Sequence, residues 1–505
     1  MKESRVVVGR PAWVLILLLS MLGVASADEE TSKGEKKADG AETAAVTKHS
    51  GEFGRQKVAY TATAGTIHLR DGEDKVTASV FHVAYTRDGL KTLKDRPLIF
   101  AFNGGPGSAS LWLHLGALGP KYMAFPNQGL DLPKPPYALE NNAHSLLDVA
   151  DLVFIDPVGT GFSRVEEDGE GMQFHGVNED IESVADFIRL YVTRHKRWGS
   201  PKFLLGESYG AVRGAGLADH LQEEHGMYLN GVMLVSGLLD YSTILPAKNN
   251  DLPYVLFLPS MTATAFYHQR LGPDLMEDLT ATLRKAETFA RSDYAAALFQ
   301  GNRLAESERM RIGRKLAQFT GLSEAYLKHS NLRVGPFRFM KELMRDQGRT
   351  VGRLDSRVLG SDGDAQDDVP EYDPSMTTIL GPIASAMNDY LRTDLAYVTD
   401  LPYEAMGNVR PWNYPDKNRY TSVMHRLGKA MRKNPHLSVH VSCGYYDMAT
   451  PYFGILHSLS HLEIPEASRS KITIDFYEGG HMMYTNVEAL KQFKADLSAF
   501  IAQSK

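Results

Sequence analysis

The sequence is poor in cysteine and in positive charge. Cys443 is the one cysteine among 505 residues, so the chain cannot form an internal disulfide or supply a cysteine-rich metal site. There are 55 lysines and arginines against 61 acidic residues, which gives a net charge of −6. A basic surface for nucleic acid is therefore not expected. With 43% hydrophobic and 23% charged residues, the composition excludes a disordered or fibrous chain.

Long apolar runs are also absent, apart from a short one near the N-terminus. Basic residues precede the apolar run Ala12–Val24, which is shorter than the roughly 20 residues of a membrane-spanning helix. Ala25-Ser26-Ala27 then offers the small residues that a signal peptidase reads. Residues 1–27 are therefore predicted to be a cleavable signal peptide, with an N-terminal anchor helix as the alternative. We expect a secreted or periplasmic protein without stable membrane insertion. Export with a single cysteine favours a bacterial chain.

The rest of the chain divides by its pattern of apolar residues. Residues 28–52 are rich in Glu, Lys, Ala and Gly and are predicted to be a flexible linker. Short β-rich segments, then apolar runs alternating with helical patterns, predict an α/β core over residues 53–240 and again over residues 396–505. Between residues 241 and 395 the alternation stops and helical patterns dominate. This segment is predicted to be a mainly helical insertion.

A nucleophile motif lies at the junction of an apolar strand and a helical stretch. Gly206-Glu207-Ser208-Tyr209-Gly210 is a G-x-S-x-G sequence, and a sharp strand-to-helix turn there would expose the Ser208 hydroxyl. A glycine-rich turn with a passive serine is the alternative. Serine needs a base, and in this arrangement the acid and the histidine follow in that order along the chain. Asp447 follows a later strand and His481 follows the last one, so these two residues are the predicted partners.

A glycine-rich turn earlier in the chain suits the stabilisation of an oxyanion. Such a site needs two backbone N–H donors aimed at the developing charge. One would come from Tyr209, directly after the nucleophile, and the other from the turn Asn103–Ser110. A phosphate-binding loop is the alternative, but the turn lacks the Lys-Ser/Thr ending and the G-x-G-x-x-G frame.

Several motifs together resemble the serine carboxypeptidase family, of the cathepsin A and carboxypeptidase Y type. They occur in the family's order over roughly residues 97–484. The matching segments are Asn103–Gly107, Gly119-Pro120, Asp156–Ser163, Gly206–Gly210 and Gly479–Met482. Several motifs in register are far more specific than any one of them.

The resemblance implies an α/β-hydrolase fold, with a mostly parallel sheet, helices on both faces and an inserted helical cap. It implies release of single amino acids from peptide or protein C-termini, without a metal or other cofactor. Ser208 would be the nucleophile, His481 the general base and acid, and Asp447 the orienting acid.

The resemblance also assigns residues that bind the oxyanion and the substrate. Gly105 and Tyr209 would supply the oxyanion N–H groups, and Asn103 and Glu207 would bind the substrate's terminal carboxylate. Glu207 must be protonated for this, because two ionised carboxylates repel each other, so acidic pH is expected to favour the reaction. The family usually has a second acid where this chain has Ala117.

Two other functions remain open from the sequence. One is an esterase or acyltransferase that uses the same three residues, because this scaffold hosts many reactions. The other is a non-catalytic binding protein of the cell envelope. The oligomeric state is also open, with a homodimer as one alternative.

Overall fold

The computed structural model describes residues 42–166 and 171–505. The predicted signal peptide, residues 1–27, and the first part of the predicted linker lie outside these ranges. Within them the strands are β1 Ala44–Phe53, β2 Gln56–Arg70, β3 Val76–Arg87, β4 Leu98–Phe102, β5 Lys121–Met123, β6 Leu139–Asn141, β7 Asp151–Ile155, β8 Arg164–Val165, β9 Lys202–Glu207, β10 Gly231–Val235, β11 Thr350–Val351, β12 Leu359–Gly360, β13 Ser438–Gly444 and β14 Ile472–Tyr477.

One large sheet organises the fold. Its strand order is β1-β2-β3-β7-β4-β9-β10-β13-β14, and β8 pairs with β3. The strands from β7 to β14 run parallel to one another, while β1, β2 and β3 form an antiparallel extension at one end. The carboxyl ends of the parallel strands therefore meet at one edge, where ligands bind in folds of this class. Two further pairs, β5 with β6 and β11 with β12, lie outside this sheet.

The helices fill the connections between the strands. They are α1 Leu111–Leu113, α2 Val177–Arg194, α3 Tyr209–His225, α4 Leu252–Tyr267, α5 Leu279–Phe289, α6 Ala295–Gln300, α7 Glu306–Thr320, α8 Glu324–His329, α9 Pro336–Glu342, α10 Pro374–Thr393, α11 Met424–Lys433, α12 Tyr452–Ser460, α13 Glu466–Arg469 and α14 Val487–Gln503. A π-helical turn, His114–Leu118, continues α1. None of the helices in the described ranges has both the length and the apolar character of a membrane span.

Strand β4 shows that helices cover the sheet on both faces. All five of its residues are buried, and successive side chains enter different clusters. Ile99 packs in the cluster that contains Phe493 of α14, whereas Phe100 packs in the one that contains Tyr191 of α2. Side chains alternate between the faces of a strand, so each cluster lies on its own face. The predicted α/β-hydrolase architecture is confirmed.

The linker prediction is wrong from Ala44 onward. Residues 44–53 form strand β1, which pairs antiparallel with β2 along its whole length. Only Phe53 of this edge strand is buried. Backbone hydrogen bonds define the strand, and its polar side chains gave no apolar alternation that periodicity could detect.

Helices α4 to α10 occupy the segment predicted to be a helical insertion, which we call the cap. The cap has its own apolar core, which includes Phe257, Phe289 and Phe339. Met448, from the loop after β13, belongs to the same cluster. The cap thus packs directly on a loop at the carboxyl edge of the parallel strands.

Candidate active site

Ser208 lies in a strained turn between β9 and α3. Its backbone has φ +62° and ψ −125°, a conformation that costs an L-residue on the order of 1–3 kcal/mol. Its N–H donates to the carbonyl oxygen of Val235 at 3.0 Å, so the end of β10 holds the turn in place. Ser208 is partly exposed, whereas Glu207 and Tyr209 are buried. The turn therefore leaves Ser208 accessible to solvent between two buried neighbours.

Glycines make this turn possible and bring the glycine-rich loop against it. A Cβ at Gly206 would lie 2.1 Å from the carbonyl oxygen of Gly210. A Cβ at Gly104 would lie 2.4 Å from the backbone nitrogen of Tyr209. Both positions therefore exclude a side chain. Gly105 and Tyr209 are the two predicted oxyanion donors. Gly105 is the residue next to Gly104, whose backbone lies against that of Tyr209.

Asp447 and His481 meet at the carboxyl ends of β13 and β14. His481 Nδ1 lies 2.7 Å from Asp447 Oδ2, and both side chains are buried. The other carboxylate oxygen accepts hydrogen bonds from the N–H groups of Ala449, at 2.7 Å, and Thr450, at 2.9 Å. The Thr450 hydroxyl also donates to Asp447 Oδ2, at 2.8 Å. These donors hold the carboxylate in the orientation that fixes the imidazole.

The imidazole of His481 is poised to accept a proton through Nε2, because Nδ1 faces the carboxylate. Burial alone would lower the pKa of His481. The charge and hydrogen bond of Asp447, aided by Glu207, outweigh burial and raise it. Within the described residues Ser208 Oγ makes no hydrogen bond to His481. Such contacts are often long in unliganded sites and tighten when substrate binds.

Glu207 and Asn103 form a buried pair next to Ser208. Asn103 Nδ2 donates to Glu207 Oε1 at 2.9 Å, and both residues are 1% exposed. Burial raises the pKa of Glu207 to about 7, against the opposing effects of the His481 charge and of hydrogen bonds from Tyr484 and Asn103. A carboxyl group that titrates near neutrality can donate a hydrogen bond below that pH, which the predicted binding of a substrate carboxylate requires.

Tyr484 is a member of this site whose role the sequence left undecided. The residues after His481 could have lined the site or packed in the core. Tyr484 does both: its ring is buried in the same cluster as Ala117, and its hydroxyl donates to Glu207 Oε2 at 2.6 Å. Its place three residues after the histidine was the only sequence signal.

A buried ion pair contacts the backbone of Asn103, and the sequence did not predict it. Arg213 of α3 donates to Asp180 Oδ2 at 2.8 Å and to the backbone oxygen of Asn103 at 2.6 Å. Both charged side chains are buried. A helical arginine five residues after the nucleophile resembles any surface arginine in sequence. Its burial is decided by the packing of α3 on α2.

A short cap segment, Arg353–Arg357, holds the histidine loop; we call it the clamp. The N–H of His481 donates to the carbonyl oxygen of Leu354 at 2.5 Å. The N–H of Gly480 donates to Asp355 Oδ2 at 3.1 Å. The cap therefore fixes the backbone that carries the imidazole.

The clamp also holds the loop that carries Asp447, the predicted acid. The N–H of Met448 donates to the carbonyl oxygen of Arg353 at 3.1 Å, and the N–H of Ser356 donates to that of Tyr446 at 3.0 Å. These two core residues flank Asp447. The clamp thus joins the loop of Asp447 to the loop of His481, and no motif in the sequence marks it.

The fold and the strand–serine–helix turn define an α/β-hydrolase. The family model described as serine carboxypeptidase matches residues 55–491, so the chain belongs to the serine carboxypeptidase family.

Individual relatives agree with this membership over shorter stretches. The serine carboxypeptidase ctsa-3.2 of Caenorhabditis elegans is 29% identical over 191 residues, which cover 36% of this chain and 32% of that protein. The lysosomal protective protein of Mus musculus is 31% identical over 188 residues, covering 37% of this chain and 34% of that protein. The matches thus span about a third of the length of these curated relatives. The solved structure of the Saccharomyces cerevisiae prohormone-processing carboxypeptidase Kex1 superposes with a TM-score of 0.52 at 16% identity, covering 88% of this chain and 92% of that one. It shares the fold.

Proposed function

We propose that this protein is a serine-type carboxypeptidase that releases single C-terminal amino acids from peptides. The buried Asn103–Glu207 pair beside Ser208 carries the proposal. A general esterase has no need of a neutral carboxyl group at this position, whereas a carboxypeptidase must recognise a free C-terminal carboxylate.

The proposed reaction begins with Ser208 Oγ attacking the carbonyl carbon of the last peptide bond. His481 Nε2 takes the hydroxyl proton and then gives it to the leaving amino group. Asp447 keeps the imidazole oriented and stabilises its charged form. The N–H groups of Gly105 and Tyr209 would bind the oxyanion.

Release of the free amino acid leaves an ester on Ser208. A water molecule, deprotonated by His481, attacks this ester and regenerates the serine. The same imidazole therefore acts as base and acid in both halves of the reaction.

Recognition of the terminal carboxylate is assigned to Asn103 and protonated Glu207. Below about pH 7 the Glu207 carboxyl group can donate to the substrate. Above that pH its negative charge repels the same group. Tyr484 holds Glu207 in place through a hydrogen bond to Oε2, the carboxyl oxygen that Asn103 does not contact.

Export is part of the proposal. The apolar run Ala12–Val24 and the small residues at 25–27 support a cleaved signal peptide and a secreted or periplasmic location. Similarity to a lysosomal protein of mouse is consistent with passage through an export pathway.

The direct test is release of free amino acid from a blocked dipeptide and from its C-terminal amide. Ser208→Ala should abolish release, while the control Ser292→Ala, an exposed cap serine, should retain it. We expect the free acid to be cleaved far better than the amide at acidic pH. Cleavage of a small ester through Ser208 without peptide release would instead establish an esterase. Failure of a fluorophosphonate to label Ser208 would indicate a binding protein.

A further inference from the structure

Arg353, the first residue of the clamp, is held in a fixed position beside the catalytic loops. Its N–H donates to Asp373 Oδ1 at 2.9 Å, and its carbonyl oxygen accepts from Met448 at 3.1 Å. The next carbonyl, that of Leu354, accepts from His481 at 2.5 Å. The backbone of Arg353 is thus anchored next to the loops of both the acid and the histidine.

The guanidinium group of Arg353 has no protein partner. Across residues 42–166 and 171–505 it forms no hydrogen bond and no ion pair, although the residue is only partly exposed. Its neighbour Arg357 differs, with two bonds to Asp355 at 2.6 and 2.9 Å and one to the backbone of Glu478. A guanidinium carries five N–H donors. No nitrogen of Arg353 is among the buried unpaired atoms of the described residues, so these donors reach solvent and are open to a ligand.

The nearby carboxylates are already engaged. Asp447 is bonded to His481, Asp355 to Arg357, and Asp373 to the hydroxyl of Ser375. The positive charge of Arg353 acts on His481 and lowers the pKa of its imidazole, against the larger effect of Asp447. Arg353 is therefore a cation that the surrounding protein does not neutralise, within electrostatic range of the reacting imidazole.

We propose that Arg353 forms a subsite for an acidic side chain of the substrate, so that peptides with Asp or Glu beside the scissile bond are preferred. This inference rests on the proposed carboxypeptidase function and adds its substrate class. The planar guanidinium binds a carboxylate through two parallel hydrogen bonds. The terminal carboxylate has its own site at Asn103 and Glu207, so a side-chain carboxylate is the group left for Arg353.

The test compares matched blocked dipeptides that differ only in Glu against Gln. One pair carries the change in the last residue and the other in the residue before it, which shows on which side of the scissile bond the subsite lies. We expect kcat/KM of the wild type to favour Glu by about tenfold or more in one pair, the size of a charge-assisted hydrogen bond. Arg353→Gln should bring this ratio close to one, and Arg353→Lys should restore part of it.

The ratio of the two peptides cancels any change in the catalytic step or in the amount of folded enzyme. Arg338→Gln is the matched control, because Arg338 is an exposed cap arginine paired with Asp368, and its ratio should equal that of the wild type. Equal cleavage of Glu and Gln peptides by the wild type, or an unchanged ratio in Arg353→Gln, would overturn the assignment alone. If the wild type cleaves none of the peptides, the carboxypeptidase proposal fails and the subsite fails with it.

Discussion

Glu207 offers the sharpest test of the site, because its protonation state should control how the enzyme responds to pH. Burial raises its pKa to about 7. If the neutral carboxyl group binds the substrate's terminal carboxylate, binding is strong below pH 7 and is lost as pH rises through that value. Glu207→Gln replaces the titrating group by an amide that can donate a hydrogen bond at any pH.

The expected change in substrate preference follows from the fraction of Glu207 that is protonated at each pH. At pH 9, two units above the pKa, only about one Glu207 in a hundred is protonated. The preference of the wild type for a free-acid dipeptide over its amide, as a ratio of kcat/KM, should fall about 100-fold between pH 5 and pH 9. In Glu207→Gln the ratio should stay nearly constant.

The assay uses this ratio because His481 titrates as well. Loss of the proton from His481 raises the activity on both substrates by the same factor, so this effect cancels in the ratio of their kcat/KM values. Glu287→Gln is the matched control, since Glu287 also accepts a hydrogen bond from a tyrosine hydroxyl, that of Tyr452, but lies in the cap. A wild-type ratio that does not change with pH, or one that changes equally in Glu207→Gln, would refute the role of Glu207.

The same pKa shift predicts a difference in stability. The folded state holds the proton of Glu207 up to about pH 7, whereas the unfolded chain releases it near 4.5. Stability from this group is full below pH 4.5 and is lost as pH rises to about 7, by about 3 kcal/mol in total. Urea unfolding should show the wild type losing this much relative to Glu207→Gln between pH 4 and pH 8.

Three further predictions follow from the geometry. Asp447→Asn should lower kcat by about 10⁴-fold, because the imidazole loses its orienting charge. Its labelling by fluorophosphonate should slow in parallel, and an unchanged rate would contradict the role. Asp355→Asn weakens the clamp's hold on the histidine loop and should lower kcat several-fold with little change in KM. The exposed Asp346→Asn, which breaks a surface ion pair, should change neither, and a loss confined to KM would argue against the clamp. Gly206→Ala forces a methyl carbon to 2.1 Å from a backbone oxygen and should cost at least about 1–3 kcal/mol in urea unfolding. Gly313→Ala has its nearest neighbour at 3.7 Å and, in a helix, should be neutral or stabilising by up to about 1 kcal/mol.

The surroundings of Ser208 combine features that are local in the sequence with features that need the folded sheet. The turn is a local feature: an apolar strand, two flanking glycines and a helix are contiguous, so the residues themselves predict its shape. Asp447 and His481 could be named because each follows a strand, and parallel strands end at the same edge of a sheet. That His481 Nδ1 would lie 2.7 Å from the carboxylate required the sheet to place β13 beside β14.

Edge strand β1 marks a limit of the sequence pattern. Periodicity detects burial, and a strand that buries only its last residue shows none. Its pairing with β2 is made by the backbone, which every sequence shares.

The sequence by itself therefore determined the α/β class and the order of the motifs, and it predicts which residues act as nucleophile, base and acid and which bind the substrate carboxylate. Tertiary structure alone decided what surrounds them. Tyr484 reaches Glu207 across 277 residues of chain, and the clamp reaches both catalytic loops from the cap. Such contacts depend on how separate elements pack. The sequence does not distinguish a buried arginine, or a carboxylate that is already hydrogen-bonded, from an exposed one. The unpaired guanidinium of Arg353 is likewise a result of packing, because Asp447, Asp355 and Asp373 are bonded to other partners.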